Sequence, residues 1–495
     1  MNTAPTGTDG IPVQTDSDAG HAGLGWFGIA RLGLVQAALG AVVVLATGAL
    51  NRIMVLEMGL PALIPGMLVA WHYLIQVARP RLGHGSDQGG RRSPWVLGGV
   101  ISLALGATGA AVATSVMRLH PVVGVALAFL DYSLIGAGVG CAGTNLLVLL
   151  AQETPAERRP AAATVVWIMM IVGFVLTTAV AGRALDPYSA GRTLAVMATV
   201  STCAILVTAV ALWRLEPRRA KALQSLPGPA RNAASADSAT GMRSMDASAV
   251  AETSASSHQQ AGFLAALRDV WAEPQARRFA SFVFIAMLAY SAQELLLDPF
   301  AGAVHGYSPG ASTRLSSLQH GGALAGMLLV AGLGAWQRGR GLGSPRICTL
   351  AGCIGSALLL GLLGLAAALH LDWSLPGMVF VLGVANGSFA VSAIASMMQL
   401  VSQGTRRREG VRMGLWGAAQ ALAFAAGGVS GTGLSDLARM VWHDPGMAYG
   451  LVFMLQGALF LWAALLANGL WPRTTANLAD VATGHTADSS IPASA

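Results

Sequence analysis

Six side chains with chemistry to offer stand inside long apolar stretches of this chain: His72, Asp131, Asn145, Glu294, Asp298 and His320. A charged group at the middle of a bilayer costs about 2.5–3.5 kcal/mol on insertion scales, so each of the acids needs a reason to be there. Glu294 and Asp298 are four residues apart and therefore share one face of a helix. Three kinds of chemistry fit these groups: a proton-coupling acid, a contact to a polar part of a substrate, or an axial ligand to the metal of a tetrapyrrole. Hydrogen bonding or pairing between helices, for example with Arg52 or Arg314, explains any one of them alone more simply.

The elements that must position these residues are membrane spans. Hydrophobic residues make up 54% of the 495 and charged ones only 11%, less than half the charged share of a soluble domain at about 25%. A hydrocarbon core of about 30 Å needs roughly 20 apolar residues as helix. Stretches of that kind lie at 32–56, 61–79, 95–117, 121–151, 160–182 and 192–214, and again at 278–299, 312–336, 347–369, 374–401, 413–435 and 447–471. They are continuous rather than alternating, which excludes a strand barrel. The expected fold is an all-α integral membrane protein with about twelve helices in two six-helix halves.

Basic residues set the expected orientation. With the first residue on the cytoplasmic side, 24 of the 30 Lys and Arg fall in cytoplasmic segments, and only Arg52, Arg118, Arg183, Arg192, Arg314 and Arg439 lie opposite. Both ends are therefore expected in the cytoplasm. The same dispersal argues against nucleic acid as a partner, in spite of a net charge of +7. Residues 1–30 lack the basic start of a signal peptide and read, with 472–495, as disordered tails flanking halves at 31–214 and 278–471. The segment 215–277 reads as a cytoplasmic linker, polar and rich in Ala, Ser and Pro, with an interfacial helix near 262–273. Cys141, Cys203, Cys348 and Cys353 have no metal-ligand spacing, and no metal site is expected. No P-loop, nucleophile elbow, H-E-x-x-H or dinucleotide fingerprint occurs, so no catalytic activity is expected.

The sharpest local pattern is the loop after the second span, Gly83-His-Gly-Ser-Asp87-Gln-Gly-Gly90-Arg91-Arg92. It resembles the G-x-x-x-D-x-x-G-R-R loop of the major facilitator superfamily, at the same place in the topology. A faint copy, Gly334 to Gly341, carries Arg338 where the acid would be. Glycines are dense within the spans, as at Gly136 and Gly140, which close helix packing explains.

Further segments narrow the resemblance. Arg31-Leu-Gly-Leu-Val-Gln36 and Thr47-Gly-Ala-Leu-Asn51-Arg52-Ile-Met-Val-Leu-Glu57 resemble the opening of the PucC/LhaA bacteriochlorophyll-delivery family, a facilitator branch of phototrophic bacteria. Ala292-Gln-Glu294-Leu-Leu-Leu-Asp298-Pro-Phe-Ala-Gly302 and Gly414-Leu-Trp416-Gly-Ala-Ala-Gln420 are similar to its later segments. The resemblance implies a protein of the bacterial inner (intracytoplasmic) membrane, with bacteriochlorophyll or a precursor as bound cargo. It also implies light-harvesting polypeptides or late pigment-synthesis enzymes as partners, in the assembly of light-harvesting complexes. The loop Ser86–Pro94 looks shorter than in the light-harvesting 1 and 2 assembly branches and closer to a branch tied to late bacteriochlorophyll synthesis. Proton-coupled or facilitated transport of a small amphipathic solute is the alternative reading of the same fold.

Overall fold

The computed structural model describes residues 24–76, 91–155, 158–216, 271–336, 345–371, 373–402 and 409–470. Helices account for almost all of them, and their order follows the expected spans. The first half comprises α1 (Trp26–Glu57), α2 (Leu63–Ile75), α3 (Ser93–Met117), α4 (Pro121–Glu153), α5 (Arg159–Ala184) and α6 (Ala190–Leu212). The second comprises α7 (Pro274–His305), α8 (Pro309–Trp336), α9 (Pro345–Ala368), α10 (Leu375–Ser402), α11 (Glu409–Val441) and α12 (Pro445–Asn468). Among the described residues, nine of these helices are long and apolar enough on their own to cross a membrane. Alpha-helices are what such a chain must form, because in lipid each backbone N–H and C=O has to be satisfied within the segment.

Local chemistry sets the helix ends. Pro121, Pro274 and Pro445 open their helices, where a missing N–H costs nothing. The Asp444 carboxylate caps α12 by accepting from the N–H groups of Gly446 and Met447. Trp26 and Phe27 are exposed and carry α1 six residues beyond the expected start at 32, as an aromatic end at the membrane boundary does. The helix α7 ends at Gly306, whose positive φ of 66° suits a glycine at that position.

Each half packs about its own apolar core. One is built from α1 to α6 around Leu32, Leu50, Leu103, Tyr132 and Leu146, the other from α7 to α12 around Phe279, Phe300, Phe389 and Phe453. The halves meet where α2 lies on α11, where α5 lies on α8, and where the last turns of α1 reach α7. Within the second half, α8 and α10 approach through Gly322, Gly326, Gly383 and Gly387. A Cβ at any of these four would collide with a backbone carbonyl of the other helix.

Of the facilitator-like loop, Gly83, Asp87 and Gly90 lie outside the described residues, as does the copy at Arg338 to Gly341. So do both tails as far as residue 23 and from 471, the linker 217–270, and all of the expected interfacial helix except Trp271 to Glu273. Arg91 and Arg92 are described. The first half's contacts run on through Glu216, whose carboxylate accepts from the N–H groups of Arg92 and Ser93 and from the Ser93 hydroxyl. An acid placed there complements the N-terminal end of α3.

Candidate functional site

The site is built on α7. Tyr290, Glu294 and Asp298 recur every four residues and so line one face of that helix. The neighbouring Gln293 faces elsewhere: it is fully buried in the second half, accepting from Asn386, which in turn accepts from Ser356. Glu294 is half-buried by contrast, and no hydrogen-bond or ion-pair partner holds it among the described residues. One turn toward α6's starting end of the bundle, Asp298 is buried and accepts 2.7 Å from the hydroxyl of Ser316 on α8. Gly48 of α1 leaves room for its other oxygen, since a Cβ there would lie 3.3 Å away.

The helices α7 and α8 run antiparallel, and the Asp298–Ser316 contact fixes their register. One turn deeper, that register sets Glu294 level with His320. His320 is buried with its ring 5.0 Å from that of Phe174 on α5. Aromatic rings continue around the same depth. Tyr73 of α2 lies 4.9 Å from Phe424 of α11, which lies 6.1 Å from Tyr290. A carboxylate without a hydrogen bond among the described residues, an imidazole at its level and a run of aromatic rings thus border the seam between the halves. Such a lining suits a flat apolar molecule carrying one electrophilic or polar centre.

Asn51 and Arg52 close the seam beyond Asp298. The end of α1 is wound as π-helix at Leu45–Ala49 and again at Ile53–Glu57, with these two residues between. The amide of Asn51 donates 2.6 Å to the carbonyl of Leu295. In an unbroken helix that carbonyl would accept from residue 299, which is proline and has no N–H. Asn51 therefore supplies the donor that Pro299 lacks, and α7 continues through its proline for six more residues. Asn51→Leu should leave a buried carbonyl unpaired and cost about 1–3 kcal/mol. The check is thermal unfolding in detergent, with Pro299→Ala restoring the lost stability in the double variant. If the double variant is no more stable than Asn51→Leu alone, Asn51 has another role.

Arg52 is buried and reaches three partners: Glu57 at 2.7 Å, the Ser312 hydroxyl at 3.2 Å and the Tyr307 carbonyl at 2.5 Å. Other links between the halves cluster at the same end. The Asp436 carboxylate of α11 accepts from the N–H groups of Ala62 and Leu63, capping α2 from across the seam. Arg314 of α8 donates to Asp186 at 3.1 Å and to the Gly182 carbonyl. Burial would push the Asp186 carboxyl up. Hydrogen bonds from Ser308, Arg314 and the Gly310 N–H, with the Arg314 charge, outweigh it and hold the group below its ordinary value. At the opposite end the contacts among the described residues stay within one half: Arg31 to Ala211, Arg92 to Gln152, and Arg278 to Gly469. Among the described residues, the bundle is latched at the end away from the start of α1.

The remaining sequence candidates lie elsewhere. Asp131 of α4 is half-buried against Gly109 of α3, inside the first half. Asn145 is buried and bonded to the Cys141 carbonyl, with its oxygen 3.4 Å from Arg92. His72 is buried at the edge of the aromatic run, its Nδ1 2.6 Å from the Val69 carbonyl and its ring 4.0 Å from Tyr73. Sequence reasoning did not single out Tyr73, Tyr290 or Phe424, which lie within the apolar runs. Only the four-residue spacing of Tyr290 from Glu294 could have marked one of them.

A family profile described as PUCC protein matches residues 49–475. The chain belongs to the PUCC protein family. Among its PUCC-family relatives is the "Bacteriochlorophyll synthase 44.5 kDa chain" of Rhodobacter capsulatus, 44% identical over 90% of this chain and 96% of the relative. The "Protein PucC" of Cereibacter sphaeroides is 25% identical, over 87% of this chain and 89% of that protein. Among solved structures, a D-xylose–proton symporter superposes with a TM-score of 0.62 at 15% identity, covering 91% of this chain and 98% of its own. A peptide transporter of the POT group follows at 0.59 and 16%, with coverage of 90% and 97%. These likenesses establish a major-facilitator fold for this PUCC-family chain, a multi-pass membrane protein. The matched region takes in Asn51, Arg52, Glu294, Asp298 and His320, so the whole seam site lies within it.

Proposed function

We propose that this protein holds bacteriochlorophyll or a late precursor as cargo and serves the assembly of light-harvesting complexes, without catalysing a reaction itself. One observation carries the reading: Glu294, half-buried and without a hydrogen-bond partner among the described residues, stands level with His320 on a seam bordered by aromatic rings. A magnesium tetrapyrrole needs one axial ligand and apolar contact on its faces, and the carboxylate with its aromatic neighbours offers both. The relatives' names support the pigment as the class of cargo. Identity of 44% to the chain named for bacteriochlorophyll synthase, against 25% to Protein PucC, favours a late pigment-synthesis enzyme as the partner that hands the cargo over. The proposed setting is the bacterial inner membrane with both ends in the cytoplasm, supported by the Lys and Arg distribution.

The test is genetic and spectroscopic. A phototrophic host lacking this chain should show weaker antenna absorption while unbound pigment or a late precursor accumulates, and the wild-type chain should restore the antenna. Undiminished antenna assembly in its absence would remove the proposal. The acid at Glu294 and the facilitator fold also fit solute transport. Uptake into proteoliposomes driven by a pH gradient would establish that reading instead.

A further inference from the structure

A groove of about 490 Å³ opens at the latched end of the bundle, where α5 of the first half meets α8 of the second. Its walls come from the end of α5, the start of α8 and the first residues of α10, and include Arg183, Tyr307, Arg314, Leu315, Leu318 and Pro376. The arginines at this end of the molecule mostly have partners. Arg52 has three, Arg192 donates to the Pro187 carbonyl, Arg439 lies over the ring of Tyr449, and Arg314 pairs with Asp186. Arg183 is exposed in the last turn of α5, on the groove wall, with no partner among the described residues. Because Asp186 offsets Arg314, Arg183 leaves the groove with one uncompensated positive charge.

The surroundings of that charge are apolar on the side facing the membrane interior. Leu315, Leu318 and Pro376 line the groove, and Leu318 is 43% exposed. One and two turns back along α5, Val180 and Leu176 are 64% and 61% exposed. A single cation at a helix end above an exposed apolar strip matches a molecule with one anionic group and hydrocarbon chains. We propose that this groove is a binding site for an anionic phospholipid, with Arg183 taking the phosphodiester and the chains lying along Leu318, Val180 and Leu176. The phosphodiester of phosphatidylglycerol carries the one negative charge that the groove leaves unmatched, whereas a zwitterionic headgroup brings its own cation.

The experiment uses the purified full-length protein in mild detergent, offered phosphatidylglycerol or phosphatidylcholine with identical chains and read by native mass spectrometry. Phosphatidylglycerol should be retained about five-fold better, the contribution of one basic side chain near a membrane surface. Arg183→Ala should abolish that preference and Arg183→Lys should keep most of it. Ala179→Trp, which fills the groove without touching its charge, should lower retention of phosphatidylglycerol while Arg183 remains. Unchanged preference in Arg183→Ala, or unchanged retention in Ala179→Trp, would overturn the site. Displacement of the bound species by millimolar inorganic phosphate or glycerol 3-phosphate would overturn the lipid assignment in favour of a small soluble anion.

Discussion

Replacing Glu294 by leucine should remove cargo binding while leaving the protein as stable as before, or more so. The two effects pull apart for one physical reason. A carboxylate inside the membrane costs about 2.5–3.5 kcal/mol, and no described hydrogen bond at Glu294 offsets it. Removing it therefore relieves the fold, unlike removal of Asp298, which would leave the Ser316 hydroxyl with only its long 3.5 Å bond to the Ser312 carbonyl. If Glu294 ligates the pigment's metal as proposed, its loss should weaken pigment retention by at least about 10–100-fold, the range found when even outer-shell partners of a metal are changed. Glu294→Gln, which keeps shape and one oxygen, should fall between. The measurements are bound pigment per protein and the unfolding temperature of the same preparations. Stability that collapses together with pigment would show that Glu294 holds the helices and not the cargo.

Arg52→Ala should unlatch the end of the bundle where α1 meets α7 and α8. The change strands Glu57, the Ser312 hydroxyl and the Tyr307 carbonyl at once. Breaking a buried pair by removing one partner costs about 3–5 kcal/mol, because the other charge stays behind. Here Glu57 is partly exposed, its side chain at 28%, which places the loss toward the lower end of that range. Arg52→Lys should recover little, since one ammonium cannot reach three acceptors set around a planar fork. A cysteine introduced as Ser316→Cys, next to Asp298, reports the opening by its reaction with a membrane-impermeant maleimide. Labelling should quicken several-fold in Arg52→Ala. An unchanged rate with lowered stability would mean that Arg52 braces the helices without gating the seam.

Much of this arrangement is legible in the amino-acid sequence. Apolar runs of spanning length gave the twelve helices, and the four-residue spacing of Glu294 and Asp298 placed them on one face. The expected end of the seventh span at 299 was too early. Pro299 reads as a stop because its missing N–H orphans the Leu295 carbonyl. The donor that repairs it, Asn51, comes from 244 residues earlier. The π-helical turns around Asn51 likewise have no local signature, since Leu, Ala and Ile suit an ordinary helix equally well. Asp436 on the backbone of Ala62 and Leu63 is a tertiary contact that no spacing rule encodes. Polarity inside a span pointed to six residues alike. Their separation into Glu294, Asp298 and His320 at the seam, His72 at the edge of the aromatic run, and Asp131 and Asn145 inside the first half depends on which helix each one faces.

The most direct measurement is the absorption spectrum of the full-length protein purified in mild detergent from a host that makes the pigment. A red or near-infrared band at close to one pigment per chain, diminished in Glu294→Leu at equal protein recovery, is the predicted result. Colourless protein that still restores antenna assembly in the deletion host would contradict cargo binding at the seam.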